Sequence, residues 1–410
     1  MDFDTYLLQY RQVQDDVEEE EMFYRVGMAT AVVVLGVLEA HKRRSEKQWP
    51  HRLYLCRPQL LSNPRATTPW QVLHRSRSNR AYITTMGMDV STFDAILGAG
   101  FADAWMYTRI PRHDSSGTGR TRPGGRSLDA AGALGLVLHY LGSTMRDISL
   151  QQIFALIPST VTRYITFGLQ ILIEVLRRMP EGAIKWPTGD EFEEYSELIT
   201  ARRARLTGAF ASIDGLNLPV QESADSELEN ATYNGWLSDH FVSSVLVFSP
   251  KGTIIAAALN APGNGYYLIA DTAFPRGART IEGKIQAPRK VGQRYQGTIE
   301  DVENMVAFEN MVAFERQLLS YRQTAEWGMR AMQSSFGRLR IPLDINNAAV
   351  RADLLEICVR LNNVRAEMVG ISQIRNVYMP AWRQNAEDEE VWNSFETMAF
   401  SEQRRQDRVA

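Results

Sequence analysis

The sequence predicts an α/β protein, with a helical N-terminal region, a small central sheet and C-terminal helices. Three observations predict it. Apolar residues recur at helical spacing between 128 and 179. Short runs rich in Val, Ile, Leu and Phe replace that pattern between 208 and 270. Helical spacing then returns after residue 300. A chain of 410 residues has room for two or three domains.

Composition narrows the class. An apolar share of 44% and an aromatic share of 10% suit a globular chain and exclude global disorder. The two cysteines, Cys56 and Cys358, are isolated, so neither a zinc cluster nor a disulfide framework is expected. That pattern fits a reducing compartment. A net charge of −3 names no partner, but the distribution is uneven. Residues 1–45 combine an acidic segment, ending Glu18-Glu19-Glu20-Glu21, with an apolar stretch from Val26 to Ala40. That stretch is about 15 residues long, short of the roughly 20 that span a bilayer, so a buried or partner-facing helix is expected and no membrane. From His41 to Arg126 there are 15 Lys/Arg against 5 Asp/Glu. Such an excess is either a phosphate-facing surface or a solvated, Arg-rich one.

Residues 46–190 read as a basic, loop-rich and then helical region. Pro50, Pro58, Pro64 and Pro69 predict loops from 45 to 84, Val90 to Tyr107 a helix, and Ile110 to Arg126 a Gly/Ser/Arg linker. In the block 128–179, Leu128, Ala131, Leu134, Leu138 and Leu141 form one buried stripe. Ser149 to Leu156 is a short second helix. Ser159 is the expected N-cap of a third, with stripe Val161, Ile165, Leu169, Leu172 and Leu176. Helices joined at Ile157-Pro158-Ser159 make either a helix-turn-helix or an ordinary hairpin. In the first case Thr160, Thr162 and Arg163 sit exposed at the start of a DNA-reading helix.

The strands are expected at Gly208 to Val220, His240 to Ser249, Thr253 to Leu259 and Tyr266 to Ala270. Ser249-Pro250-Lys251-Gly252 turns the second into the third as a hairpin. Helices follow at Val302 to Met332 and Arg351 to Met368. The latter is lined by Leu354, Cys358, Leu361, Val364 and Met368, and a charged tail begins after Gln384.

Two aspartates end hydrophobic strands: Asp214 after Ala211-Ser212-Ile213, and Asp271 after Leu268-Ile269-Ala270. Glu326 lies in a later helix. Carboxylates are the ligands that hard cations such as Mg²⁺ take. Two such ions about 4 Å apart clamp the attacking and leaving oxygens of a phosphodiester. Each acid also has a structural reading. Asp214-Gly215 is a turn pair, Asp271-Thr272 caps a turn, and Glu326 lies four residues from Arg322 and Arg330.

The segments Ile213-Asp214-Gly215, Tyr233-Asn234-Gly235, Ile269 through Asp271 to Pro275, and Ser320-Tyr321-Arg322 through Glu326 to Leu339 stand in a particular order. In that order they resemble PIF/Harbinger-type, transposase-derived DDE nucleases over residues 205–345, leaving 346–410 as C-terminal helix and tail. The block 128–179 resembles that family's helix-turn-helix region. The resemblance implies an RNase H-like core, a five-stranded mixed sheet of order 3-2-1-4-5 with helices on both faces. It implies Asp214, Asp271 and Glu326 as catalytic, metal-binding residues using Mg²⁺ or Mn²⁺. It also implies DNA as substrate, with Arg322 beside Thr160, Thr162 and Arg163 as DNA contacts, a separate DNA-binding partner protein, and a nuclear location.

Two features depart from that pattern. The 260–265 link replaces a longer segment between strands three and four, where the chain must span roughly 22 Å. Six residues reach only about 20–21 Å. Shortened strands, a rearranged sheet or an incomplete core would each resolve the shortfall. The segment Glu303–Phe308 is repeated at Glu309–Phe314. A six-residue insertion rotates a helix by about 240°, so one copy is expected exposed or looped. The functional expectation is therefore a metal-dependent DNA endonuclease, or a catalytically inactive descendant that binds DNA or protein.

Overall fold

The computed structural model describes residues 54–111, 123–235, 238–257, 267–270, 285–287 and 302–379, side chains at 267 and 302–309 excepted. The 26–40 apolar stretch, most of the 110–126 linker, the 260–265 link, Asp271 and the tail after Gln384 lie outside the described residues. The chain divides into two compact units, 1–172 and 173–410.

The first unit is helical. Helices α1 (Pro69–Ser76) and α2 (Asn79–Met86) occupy part of the stretch expected to be loops. Pro69 falls in the first turn, where its missing N–H costs nothing, and the Thr68 side chain accepts from Gln71 N. Helix α3 (Val90–Ile96) is capped by Asp89. A π-helical turn, Leu97–Phe101, separates it from α4 (Ala102–Tyr107), with Gly100 at φ 118 making the break. Helix α5 (Ala130–Gly142) begins after its Asp129 cap. It is buried nearly all round rather than along one stripe, and Ala131 is half-exposed.

Helices α6 (Asp147–Phe154) and α7 (Pro158–Arg178) are bent by 93° across their connection, where Ala155 adopts a left-handed backbone. Helix α7 starts at Pro158, not after a Ser159 cap, and Ser159 is buried. Proline suits that first position because its N–H is not needed. Val161, Ile165, Leu172 and Leu176 are buried as expected, and Leu169 is half-buried. Among the described residues no single helix is long and apolar enough to cross a membrane.

The second unit holds a mixed sheet. Its strands are β1 (Ala209–Pro219), β2 (Tyr233–Asn234), β3 (Asp239–Phe248), β4 (Ile254–Ala256), β5 (Tyr267–Ile269) and β6 (Ile285–Gln286). Strand β1 is central, antiparallel to β3 and parallel to β5. Strand β5 is parallel to β6. Both β2 and β4 pair antiparallel with β3. The hairpin between β3 and β4 forms as the sequence predicts, with Gly252 N donating to Ser249 O at 3.0 Å.

The span problem is resolved by short strands. Strand β4 ends at Ala256 and β5 begins at Tyr267, so ten residues, 257–266, join them. Ten residues reach about 33–36 Å, enough for parallel strands separated by β3 and β1.

Helices cover both faces. Phe210, Ala211, Ile213, Val247, Leu268 and Ile285 pack with Tyr195 of α8 (Glu191–Thr200). A register shift near Ala209 and Ala211 brings the sequence neighbours Phe210 and Ala211 into one cluster. On the opposite face Phe248, paired with Ser212, meets α10 (Val302–Ser335) at Gly328. A Cβ there would fall 2.4 Å from the Phe248 ring, so glycine lets the helix close on the sheet. Helix α10 runs unbroken through both copies of the repeat, which removes the looped alternative. In the second copy Asn310 is exposed and residues 311–314 are half-exposed.

Three further helices complete the unit: α9 (Ser226–Thr232), α11 (Ala348–Val364) and α12 (Gln373–Tyr378). In α11 Leu354, Cys358, Leu361 and Val364 are buried as expected, while Met368 beyond its end is half-exposed.

Candidate functional site

Asp214 sits where β1 changes character. Residues 209–213 are all buried, whereas 214–219 alternate between buried and more exposed. The first stretch is sandwiched between strands and helices, and its parallel partner β5 pairs no further than Ser212. Asp214 is half-buried, opposite the fully buried Leu246, and its Oδ1 accepts from Gly215 N at 2.8 Å. Strand alternation puts it on the face of Ser212 and Phe248, the side of α10. Asp214-Gly215 is therefore interior to a strand and not a turn.

Ala270, next along the chain from Ile269, is fully buried and its N–H donates to Gln286 O at 2.9 Å. That bond ties the residue preceding Asp271 to β6. Asp271 itself lies outside the described residues.

Glu326 projects from a flank of α10, one residue past the buried pair Thr324 and Ala325. Its side chain is 34% exposed and takes a 2.8 Å ion pair from Arg322, one helical turn earlier. Arg322 thus engages a carboxylate of its own helix. A part-exposed i,i+4 pair of this kind contributes a few tenths of a kcal/mol. Among the described residues no three of His, Cys, Asp and Glu converge tightly enough to hold a metal ion.

The expected DNA-reading residues separate. Thr160 is 5% exposed, contrary to the expectation that it lies on the surface. Helix α7 starts at Pro158, two residues before the Thr160 start that a Ser159 cap implies, so Thr160 is not the exposed first residue. Thr162 is exposed and Arg163 half-exposed, with Arg163 Nη2 3.5 Å from Thr160 Oγ1. The 93° bend suits a helix-turn-helix, but one of its three chosen contacts faces the core.

Two arrangements escaped sequence reasoning. The buried His240 ring lies between Glu229 and Thr232, with Nε2 3.1 Å from Glu229 Oε1 and Nδ1 3.2 Å from Thr232 Oγ1, holding α9 to β3. The buried Asn363 amide binds the backbone of β4. Neither carries a local sequence signal, because the partners lie on separate elements.

The molecule is an α/β protein whose two-sided mixed sheet carries Asp214 in the middle of its central strand, not at the strand's end as the sequence suggested. No family model, curated protein or solved structure matches this chain.

Proposed function

We propose that this chain is a DDE-type nuclease-like protein of the PIF/Harbinger kind, acting on DNA with a divalent metal. One observation carries the reading. The sheet runs β2-β3-β1-β5-β6, with β4 also paired to β3 and β1, β5 and β6 parallel; followed through β4, this order supports the 3-2-1-4-5 expected of an RNase H-like sheet. In its parallel pair Ser212 stands opposite Ile269. Asp214 and Asp271 each follow that pair by two residues in the sequence. The helix that bears Glu326 covers the same face as Asp214. A donor set made of carboxylates fits Mg²⁺ or Mn²⁺.

Asp214 and Asp271 would hold the metal, with Glu326 joining them from α10 once released from Arg322. A bound divalent pair would supply activation of a water or 3′-hydroxyl and stabilisation of the departing oxyanion. The rigid sheet supplies the positioning. Nuclear action would follow from the substrate, and a separate DNA-binding partner would extend target choice.

A second reading, an inactive descendant that keeps only binding, has its own support. The Glu326 carboxylate is already engaged by Arg322. One assay separates the two. Mg²⁺- or Mn²⁺-dependent nicking of duplex DNA is expected from the full chain and should be lost in Asp214→Asn, which preserves shape. Nicking of equal rate in both proteins would refute the site, and its absence in both would leave the binding-only reading standing.

A further inference from the structure

We propose that the first unit carries a duplex-DNA backbone surface built from the arginines around the α1–α2 turn, an inference that rests on the DNA substrate proposed above. The segment 54–86 contains Arg57, Arg65, Arg75, Arg77 and Arg80 and not one Asp or Glu. Arg75, Ser76, Arg77, Asn79 and Arg80 are all exposed and stand in one short stretch, bent at Arg77 by its left-handed backbone.

The bonds that Arg57 and Arg75 make hold them in place without cancelling their charge. Arg75 Nη2 donates to Ala66 O, which anchors it to the loop before α1. Arg57 donates to Ser62 O and, at 2.8 Å, to Ala155 O. Arg65 Nη2 donates to Arg126 O. Carbonyl acceptors carry no net charge, so these bonds leave the charge of Arg57 and Arg75 uncompensated. Arg77 alone of the exposed turn is neutralised, by Asp94. Arg57, Arg75 and Arg80 have no carboxylate partner among the described residues.

The first unit also holds a buried cation. Arg126 is buried, its Nη2 donates to Thr108 O at 2.6 Å, and its guanidinium stands 5.0 Å from the centre of the Trp105 ring. Its Nη1 is buried with no hydrogen-bond partner among the described residues. Burial makes its charged form less favourable, and among the described residues no acid compensates it. A charge in that low-dielectric position adds to the field outside.

Several pre-positioned guanidiniums match a ligand with repeated anionic groups, and Arg presents two parallel donors to each phosphate. Ser76 and Asn79 add neutral donors of the kind that contact phosphate oxygens. Nothing here reads bases, so the surface is expected to bind duplex DNA with little sequence preference.

The test uses the full chain, a fluorescent duplex of random sequence, and EDTA to silence the carboxylate site. Affinity is measured across salt concentrations. Each phosphate contact contributes about 0.9 to the slope of log affinity against log salt. Arg75→Gln with Arg80→Gln should therefore flatten the slope by about 1.8 and weaken binding throughout. Lysine at both positions should retain most of the slope. Arg75 also holds a loop, so Arg80→Glu alone is the second variant, and it should weaken binding with circular dichroism unchanged. Because EDTA is present, this binding readout is independent of the nicking assay. A slope unchanged in the glutamine double variant, together with unchanged affinity in Arg80→Glu, would overturn the proposal.

Discussion

The side-chain amide of Asn363 pairs with the backbone of Ile254 as though it were a neighbouring strand. Its Oδ1 accepts from Ile254 N at 2.7 Å, and its Nδ2 donates to Ile254 O at 2.9 Å and to Ala183 O at 2.8 Å. Strand β4 has only three residues, and β3 satisfies just one of its edges. A short edge strand with exposed donors is a pairing hazard, and here a helix side chain closes it.

Replacing Asn363 with Leu should therefore destabilise the second unit by about 3 kcal/mol, since buried backbone groups lose their partners. Urea unfolding should show a lower midpoint at unchanged slope. A loss below about 0.5 kcal/mol, the size of an ordinary surface change, would mean water replaces the amide.

Gly328→Ala should cost about 1–3 kcal/mol, because the added methyl meets the buried Phe248 ring. Phe248→Leu should relieve it, so the double variant should be more stable than the sum of the two losses predicts. Strict additivity would place the strain elsewhere.

Glu356 receives Arg177 at 2.7 Å and Arg360 at 2.8 Å. The Arg177 hydrogen bond, opposed by partial burial and helped by Arg360, lowers its pKa from 4.5 to about 2. A lowered carboxylate pKa contributes stability that is present above about 4.5 and lost as pH falls through about 2. Wild type should exceed Glu356→Gln in melting temperature at neutral pH, with the difference vanishing along the acid limb. Arg177 is 41% exposed, so the gain should stay under about 1 kcal/mol. A difference that persisted at pH 2 would not be electrostatic.

Glu326→Ala should abolish metal-dependent nicking while changing stability by less than about 0.5 kcal/mol, because a part-exposed ion pair is worth little. Nicking that survives the substitution would confine Glu326 to its pairing with Arg322.

Cys56 is half-exposed, while Cys358 is fully buried and its thiol is pushed far up by burial. A thiol reagent should modify one cysteine of the native chain quickly and the second only in denaturant. Two fast native thiols would place α11 differently.

Local chemistry made much of this protein legible. The turn Ser249 to Gly252 was readable because proline and a positive-φ glycine act within four residues. Helix α7 was readable from its periodicity, but its first residue was not, since Ser159 and Pro158 both signal a helix start. The helices α1 and α2 were hidden by prolines that read as loop until Pro69 is placed in a first turn. Strand β6 has two residues and α9 seven, too few to set a period.

What the sequence determined by itself is the α/β class, the long strands β1 and β3, and the hairpin turn from β3 to β4, because each follows from spacing along the chain. Only the tertiary structure decided the strand order, the shortening of β4 and β5, the burial of Thr160, the Arg322–Glu326 pair and the Asn363 cover on Ile254. Those depend on which distant segments share a face, and contacts between elements leave no period in the chain that makes them.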